Sequence, residues 1–82
     1  MYDCGGVCVK KILGDRLREY REKFHYTQIQ VAIYSDITEK AYSNYELGKQ
    51  MPRLDILMRI ADVYGVSLDY LTGRTDKPSL NK

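Results

Sequence analysis

Between Thr38 and Gly48 the chain reads TEKAYSNYELG. Wound as a helix, this stretch turns Tyr42 and Tyr45 inward with Ala41 beside them, and leaves Glu39, Lys40, Ser43, Asn44 and Leu47 outside. The outer set has a definite chemistry. An asparagine amide matches the donor and acceptor on the edge of adenine, a glutamate accepts from the amino group of cytosine, and a lysine donates to guanine. Short or polar side chains on the first two turns are what a helix presents when it enters a major groove end-on. The same residues also suit an ordinary solvated helix face, and composition alone favours that plainer reading. Catalysis is not expected, because no nucleophile, base and orienting group can be assembled from this chain. The only histidine, His25, has no serine, cysteine or carboxylate placed by sequence to work with it.

Three short segments begin with the same grammar. Thr27 is a helix cap with Gln30 completing a capping box and Tyr26 placed to staple onto Val31. Thr38 repeats the pattern with Ile37 and Tyr42, and Ser67 repeats it with Val66 and Leu71. Between the first two of these helices lies only Ser35-Asp36-Ile37, a turn of about three residues, the length that holds two helices at a steep angle. A steep, close crossing wants a side chain no larger than a methyl group, and Ala32 supplies it. Asp36 falls where the turn needs a left-handed backbone, which Asp tolerates.

The flanking chain supports this pair. Leu13, Leu17, Tyr20 and Phe24 form one apolar face of a helix over residues 12–24. It ends near His25, one of the few non-glycine residues enriched at positive φ. After Pro52, a helix over 54–64 places Leu54, Leu57, Ala61 and Tyr64 on its inner face and stops at Gly65. A last short helix covers Leu68 to Leu71, ended by Gly73. The expected fold is all-α, a compact bundle of five short helices. The expected organisation is a flexible N-terminal segment over residues 1–11, one helix-turn-helix domain over 12–75, and a mobile tail over 76–82.

The 82 residues allow a single small core. With 29% charged and 44% apolar residues and no uninterrupted apolar run of membrane length, a soluble, cytoplasmic protein is expected. No signal peptide is read at the N-terminus. Cys4 and Cys8 with one histidine cannot make a four-ligand zinc site, and their spacing is not that of a redox CxxC pair, so no metal or cofactor is expected. A net charge of +2 does not by itself argue for nucleic acid. Lys10, Lys11, Arg16, Arg18, Arg21 and Lys23, set against Asp15, Glu19 and Glu22, read as a solvated helix face.

Taken together, GDRLREYREK, TQ then VA, ITEKAYSNYELGKQMP and LDILMRIADVYGVSLDYLTGRTD resemble, in order and spacing, the Cro and phage-repressor type of helix-turn-helix protein, the XRE family. The likeness covers about residues 12–76 and implies a lambda-repressor-like DNA-binding domain. It implies base contacts from Glu39, Lys40, Ser43 and Asn44. It implies phosphate contacts from Gln28, at the start of its helix, and from Thr38, Lys49 and Arg53. It also implies a buried pair of Arg21 with Glu46.

The implied function is a transcriptional regulator, a repressor that occupies a double-stranded operator as a homodimer, with the short helix around Leu68, Tyr70 and Leu71 as the expected interface. His25 and Asp36 stand where the family usually has glycine, and Ser35 where it has a core leucine. Glu39 brings a negative charge close to phosphates, which narrows or weakens binding. Ile29 and Ile33, with Tyr34, lie opposite Val31 and Ala32 and form a candidate patch for a protein partner. That patch keeps two other readings open, an antitoxin bound to a toxin enzyme and an interaction module that has lost DNA binding.

Overall fold

The computed structural model of the chain describes residues 9–75 and residue 77. Helix α1 spans Val9–Lys23, α2 Gln28–Ser35, α3 Glu39–Glu46, α4 Leu54–Tyr64 and α5 Leu68–Leu71. The described residues are all-helical, as expected. Helix α1 starts at Val9, three residues before the sequence signal at Ile12, so residues 9–11 belong to the helix. Cys4, Cys8 and nearly all of the expected tail lie outside the described residues.

One device ends every helix. At His25, Asp36, Gly48, Gly65 and Gly73 the backbone takes positive φ. Each of these N–H groups donates to the carbonyl three residues back, and the next N–H donates to the carbonyl five residues back. This pairing satisfies carbonyls that the helix end would leave orphaned. His25 and Asp36 have φ of 60° and 61°, so two non-glycine residues carry the left-handed turn anticipated for them.

The helix starts are equally regular. The Thr27 hydroxyl accepts from the Gln30 N–H, and the Gln30 side chain accepts from the Thr27 N–H, a complete capping box. The Thr38 and Ser67 hydroxyls accept from Ala41 and Tyr70. Two ended and capped helices, α2 and α3, are thereby joined by only Asp36, Ile37 and Thr38.

All five helices contribute to the core, with α2 packed against both α3 and α4, and α1 against α3 and α5. Leu13, Leu17, Val31, Tyr42, Ile60 and Leu71 are fully enclosed. At its centre the hydroxyls of Tyr42 and Tyr64 meet at 2.7 Å, which lets two phenols be buried with their polar ends satisfied. Burial pushes the ionisation of both well above the ordinary phenol value.

Two expected core residues are not core. Phe24 is 38% exposed. It lies one residue past the end of α1 and forms a rim of tilted rings with Tyr20, Tyr26 and Tyr64. Leu54 is 64% exposed, because at the first position of α4 its Cβ tilts back past the helix end. The face α4 buries is Leu57, Ile60, Ala61 and Tyr64, with Ile60 the residue not anticipated.

Arg16 closes the fold from the other side. Its guanidinium lies 4.1 Å from the centre of the Tyr70 ring and donates to the carbonyls of Tyr70 and Thr75. Of the residues expected at a dimer interface, Tyr70 and Leu71 are buried in the protein's own core and Leu68 is half-buried against it.

Candidate nucleic-acid interface

Helix α3 is held from behind by Tyr42, Tyr45 and Glu46, all buried. Its other side faces out. Glu39 and Lys40 are exposed, Ser43 and Asn44 half-buried, and Leu47, just past the last turn, is 55% exposed. The residues singled out for base contact therefore share one solvent-facing stripe over the first two turns. Their placement follows from the inward pull of the two tyrosines.

The position of α3 is set by a polar clamp and a close approach. The Arg21 Nε donates to Glu46 Oε2 at 2.6 Å, its Nη2 to Oε1 at 3.3 Å, and its Nη1 to the Tyr26 carbonyl at 3.2 Å. The Glu46 side chain is 1% exposed and that of Arg21 19%, so this is a largely desolvated two-point pair. The carboxylate holds the Arg21 charge still higher than usual, mainly through that hydrogen bond.

Beneath the pair, Gly14 of α1 touches the backbone of α3. A Cβ there would stand 2.3 Å from the Glu46 carbonyl oxygen. No side chain fits, and α1 lies directly on the end of α3. The signal for this was an isolated glycine inside a helical pattern, a costly choice that marks a packing reason.

The expected phosphate contacts fall in two groups. Lys49 and Arg53 are exposed on the loop after α3, with Arg53 in a loose 3.4 Å pair with Asp55. Thr38 is exposed at the α3 cap, its hydroxyl oxygen already accepting from Ala41 and its proton still available. Gln28 also has a partner within the fold: it is half-buried and its Nε2 donates to Glu46 Oε1 at 3.1 Å. It is part of the Arg21–Glu46 clamp, with one amide hydrogen left for a second acceptor. Helix α2 thus ties its first residue to the last of α3.

A helix-turn-helix family model matches residues 17–71, from the middle of α1 through α5. The chain belongs to the helix-turn-helix family of the Cro and phage-repressor type. Over 70 residues it is 39% identical to the HTH-type transcriptional regulator ImmR of Bacillus subtilis, covering 85% of this chain and 55% of that protein. It is 37% identical over 60 residues to the cryptic phage CTXphi transcriptional repressor RstR of Vibrio cholerae, covering 73% of this chain and 54% of the relative. The chain thus spans about half the length of these curated relatives. Among solved structures, the clp gene regulator ClgR of Corynebacterium glutamicum superposes with a TM-score of 0.73 at 22% identity, over 78% of this chain and 68% of that one, and shows the shared fold. Among the described residues no helix is long and apolar enough to cross a membrane.

Proposed function

We propose that this helix-turn-helix protein is a sequence-specific DNA-binding transcriptional regulator that represses by occupying an operator, and that it has no catalytic activity. The observation that carries the reading is the outward stripe of α3. Glu39, Lys40, Ser43 and Asn44 face solvent on a helix whose back is fixed by Tyr42, Tyr45 and the Arg21–Glu46 pair. Such a helix offers Asn44 to adenine, Lys40 to guanine and Glu39 to cytosine. Thr38, Lys49, Arg53 and the free amide hydrogen of Gln28 surround it with donors for phosphate oxygens. The transcriptional regulators and the repressor among its relatives point the same way.

One domain of this size buries a modest contact area on DNA, so useful affinity calls for two copies on half-sites about 34 Å apart. Tyr70 and Leu71 are buried, so of the expected interface on α5 it is the half-buried Leu68 that remains open to a second copy. Sedimentation showing a strict monomer both free and on DNA would remove this element. The test of the whole reading is selection from a random duplex pool by the parent and by Lys40→Ala/Asn44→Ala. Enrichment of one motif, lost by a folded double variant, supports it; no enrichment at low salt refutes it.

A second reading has its own observation. Ile29, Ile33 and Tyr34 are 52%, 68% and 54% exposed on the outer side of α2. They suit a protein partner, as in an antitoxin or an interaction module. Binding that ignores salt and co-purification with a small partner would favour it over operator binding.

A further inference from the structure

Lys11 and Arg18 stand seven residues apart on one face of α1, and both line a cleft of 330 Å³ between α1 and the C-terminal end of α3. Asp15, Glu46, Leu47 and Gly48 complete its walls. The charges there are unequal. The Glu46 carboxylate is already neutralised by Arg21 at 2.6 Å and takes a further donor from Gln28 at 3.1 Å. Lys11 and Asp15 pair at 3.7 Å with side chains 76% and 61% exposed, a contact that another anion displaces at little cost. Arg18 makes no ion pair among the described residues. With Glu46 set against Arg21, two cations face one carboxylate, a surplus of one positive charge that matches one phosphodiester.

The cleft is also in the right place. Leu47, 55% exposed, is at once its wall and the continuation of the α3 stripe, four residues after Ser43 and three after Asn44. The carbonyls at this end of α3 do not repel an anion freely, since those of Ser43, Asn44 and Tyr45 accept from the N–H groups of Leu47, Lys49 and Gly48. The start of α1 is held against this end of α3. A Cβ on Gly48 would stand 3.5 Å from the Lys10 carbonyl oxygen, and Gly14 is in contact with Glu46. The α1 backbone that carries both cations is therefore fixed relative to the helix that faces the bases.

We infer that this cleft is a subsite for one sugar-phosphate unit of the DNA strand flanking the bases that α3 faces. Arg18 donates through its planar guanidinium to the phosphodiester oxygens, Lys11 adds a second charge, and Leu47 covers the deoxyribose. The inference rests on the DNA-binding reading above. It adds contacts from α1, at residues the sequence presents only as a solvated charged face.

The test is the salt dependence of binding to the selected duplex for the parent, for Lys11→Gln/Arg18→Gln and for Asp15→Asn. One lost phosphate contact reduces the slope of log affinity against log salt by about 0.9, so between 50 and 200 mM salt the double variant should lose about 3.5-fold less affinity than the parent. Its preference for the motif over unrelated duplex should be unchanged, because a phosphate contact carries no sequence information. A single methylphosphonate scanned along the strand should weaken the parent at one position per half-site and leave the double variant indifferent there. Asp15→Asn, which removes the opposing carboxylate, should bind several-fold tighter at low salt. Parallel slopes for parent and double variant, or weaker binding by Asp15→Asn, would overturn the subsite while leaving operator binding intact. If the parent binds no duplex at low salt, the DNA reading itself fails and the subsite falls with it.

Discussion

Replacing Gly14 by alanine separates tertiary packing from local preference, because the two act in opposite directions. Helix propensity favours alanine over glycine by about 1 kcal/mol in a helix interior. In this fold the new Cβ would stand 2.3 Å from the Glu46 carbonyl oxygen, 2.9 Å from its carbon and 3.0 Å from the Tyr45 carbonyl oxygen. An ordinary carbon–oxygen contact needs roughly 3.3 Å, so α1 and α3 must part by about 1 Å. The obstacles are backbone atoms of a helix, which no rotamer change can clear. Overpacking then costs about 3 kcal/mol, the upper part of its usual range, and the net loss is about 2 kcal/mol. For a domain of this size that lowers the melting temperature by roughly 8–16 °C. Thermal unfolding followed by far-ultraviolet circular dichroism reads it directly. Parting α1 from α3 also stretches the Arg21–Glu46 pair, so Gly14→Ala and Arg21→Ala should be less than additive in a double-mutant cycle. A melting temperature equal to or above the parent's would refute the claim that α1 is seated on the α3 backbone.

Three further outcomes follow from the same packing. Arg21→Ala should cost about 3–5 kcal/mol in urea unfolding, and more than Glu46→Ala, because it strands a carboxylate that is 1% exposed whereas the reverse leaves an arginine able to reach water; equal losses would contradict this. Ser35 has a fully buried hydroxyl with no hydrogen-bond partner among the described residues. Ser35→Ala should therefore be neutral or stabilising by about 1–2 kcal/mol, and a clear loss of stability would show the hydroxyl to be engaged. The hydroxyls of Tyr42 and Tyr64 ionise well above the ordinary value, chiefly because they are buried. Their contribution is complete below about pH 10, where the unfolded chain's tyrosines are also neutral, and is lost as pH rises towards the folded values. Stability measured in urea should thus fall above about pH 10 by up to about 1.4 kcal/mol per pH unit for each tyrosine, with Tyr42→Phe flattening the slope.

What the sequence made legible is what local chemistry decides. Thr27, Thr38 and Ser67 cap because a hydroxyl at that position meets an N–H two or three residues on, whatever surrounds it. His25 and Asp36 were readable as left-handed turns for the same reason. The face of α3 followed from two tyrosines spaced three apart. Tertiary contacts hid the rest. Gly14 carries no chemical group, and its function is the space it leaves for another helix. Gln28 has a free-looking amide in sequence, yet the fold brings Glu46 to it. Leu54 keeps the period of α4 but sits at its tip, while Ile60 completes the buried face. Tyr70 and Leu71 resembled a spare apolar surface only until α1 and α4 were packed against α5. Arg18 and Lys11 become a site only when the end of α3 is set beside them.

Whether α3 reads base edges in the major groove can be measured by 7-deazapurine interference across the selected motif. Replacing N7 removes one major-groove acceptor and leaves the phosphates and the minor groove untouched. Binding should be lost at particular purines, about tenfold or more at an adenine paired with Asn44, and that penalty should disappear in Asn44→Ala. Uniform indifference to 7-deaza substitution in a duplex that the protein binds tightly would contradict base reading by α3, and would place recognition outside the α3 stripe.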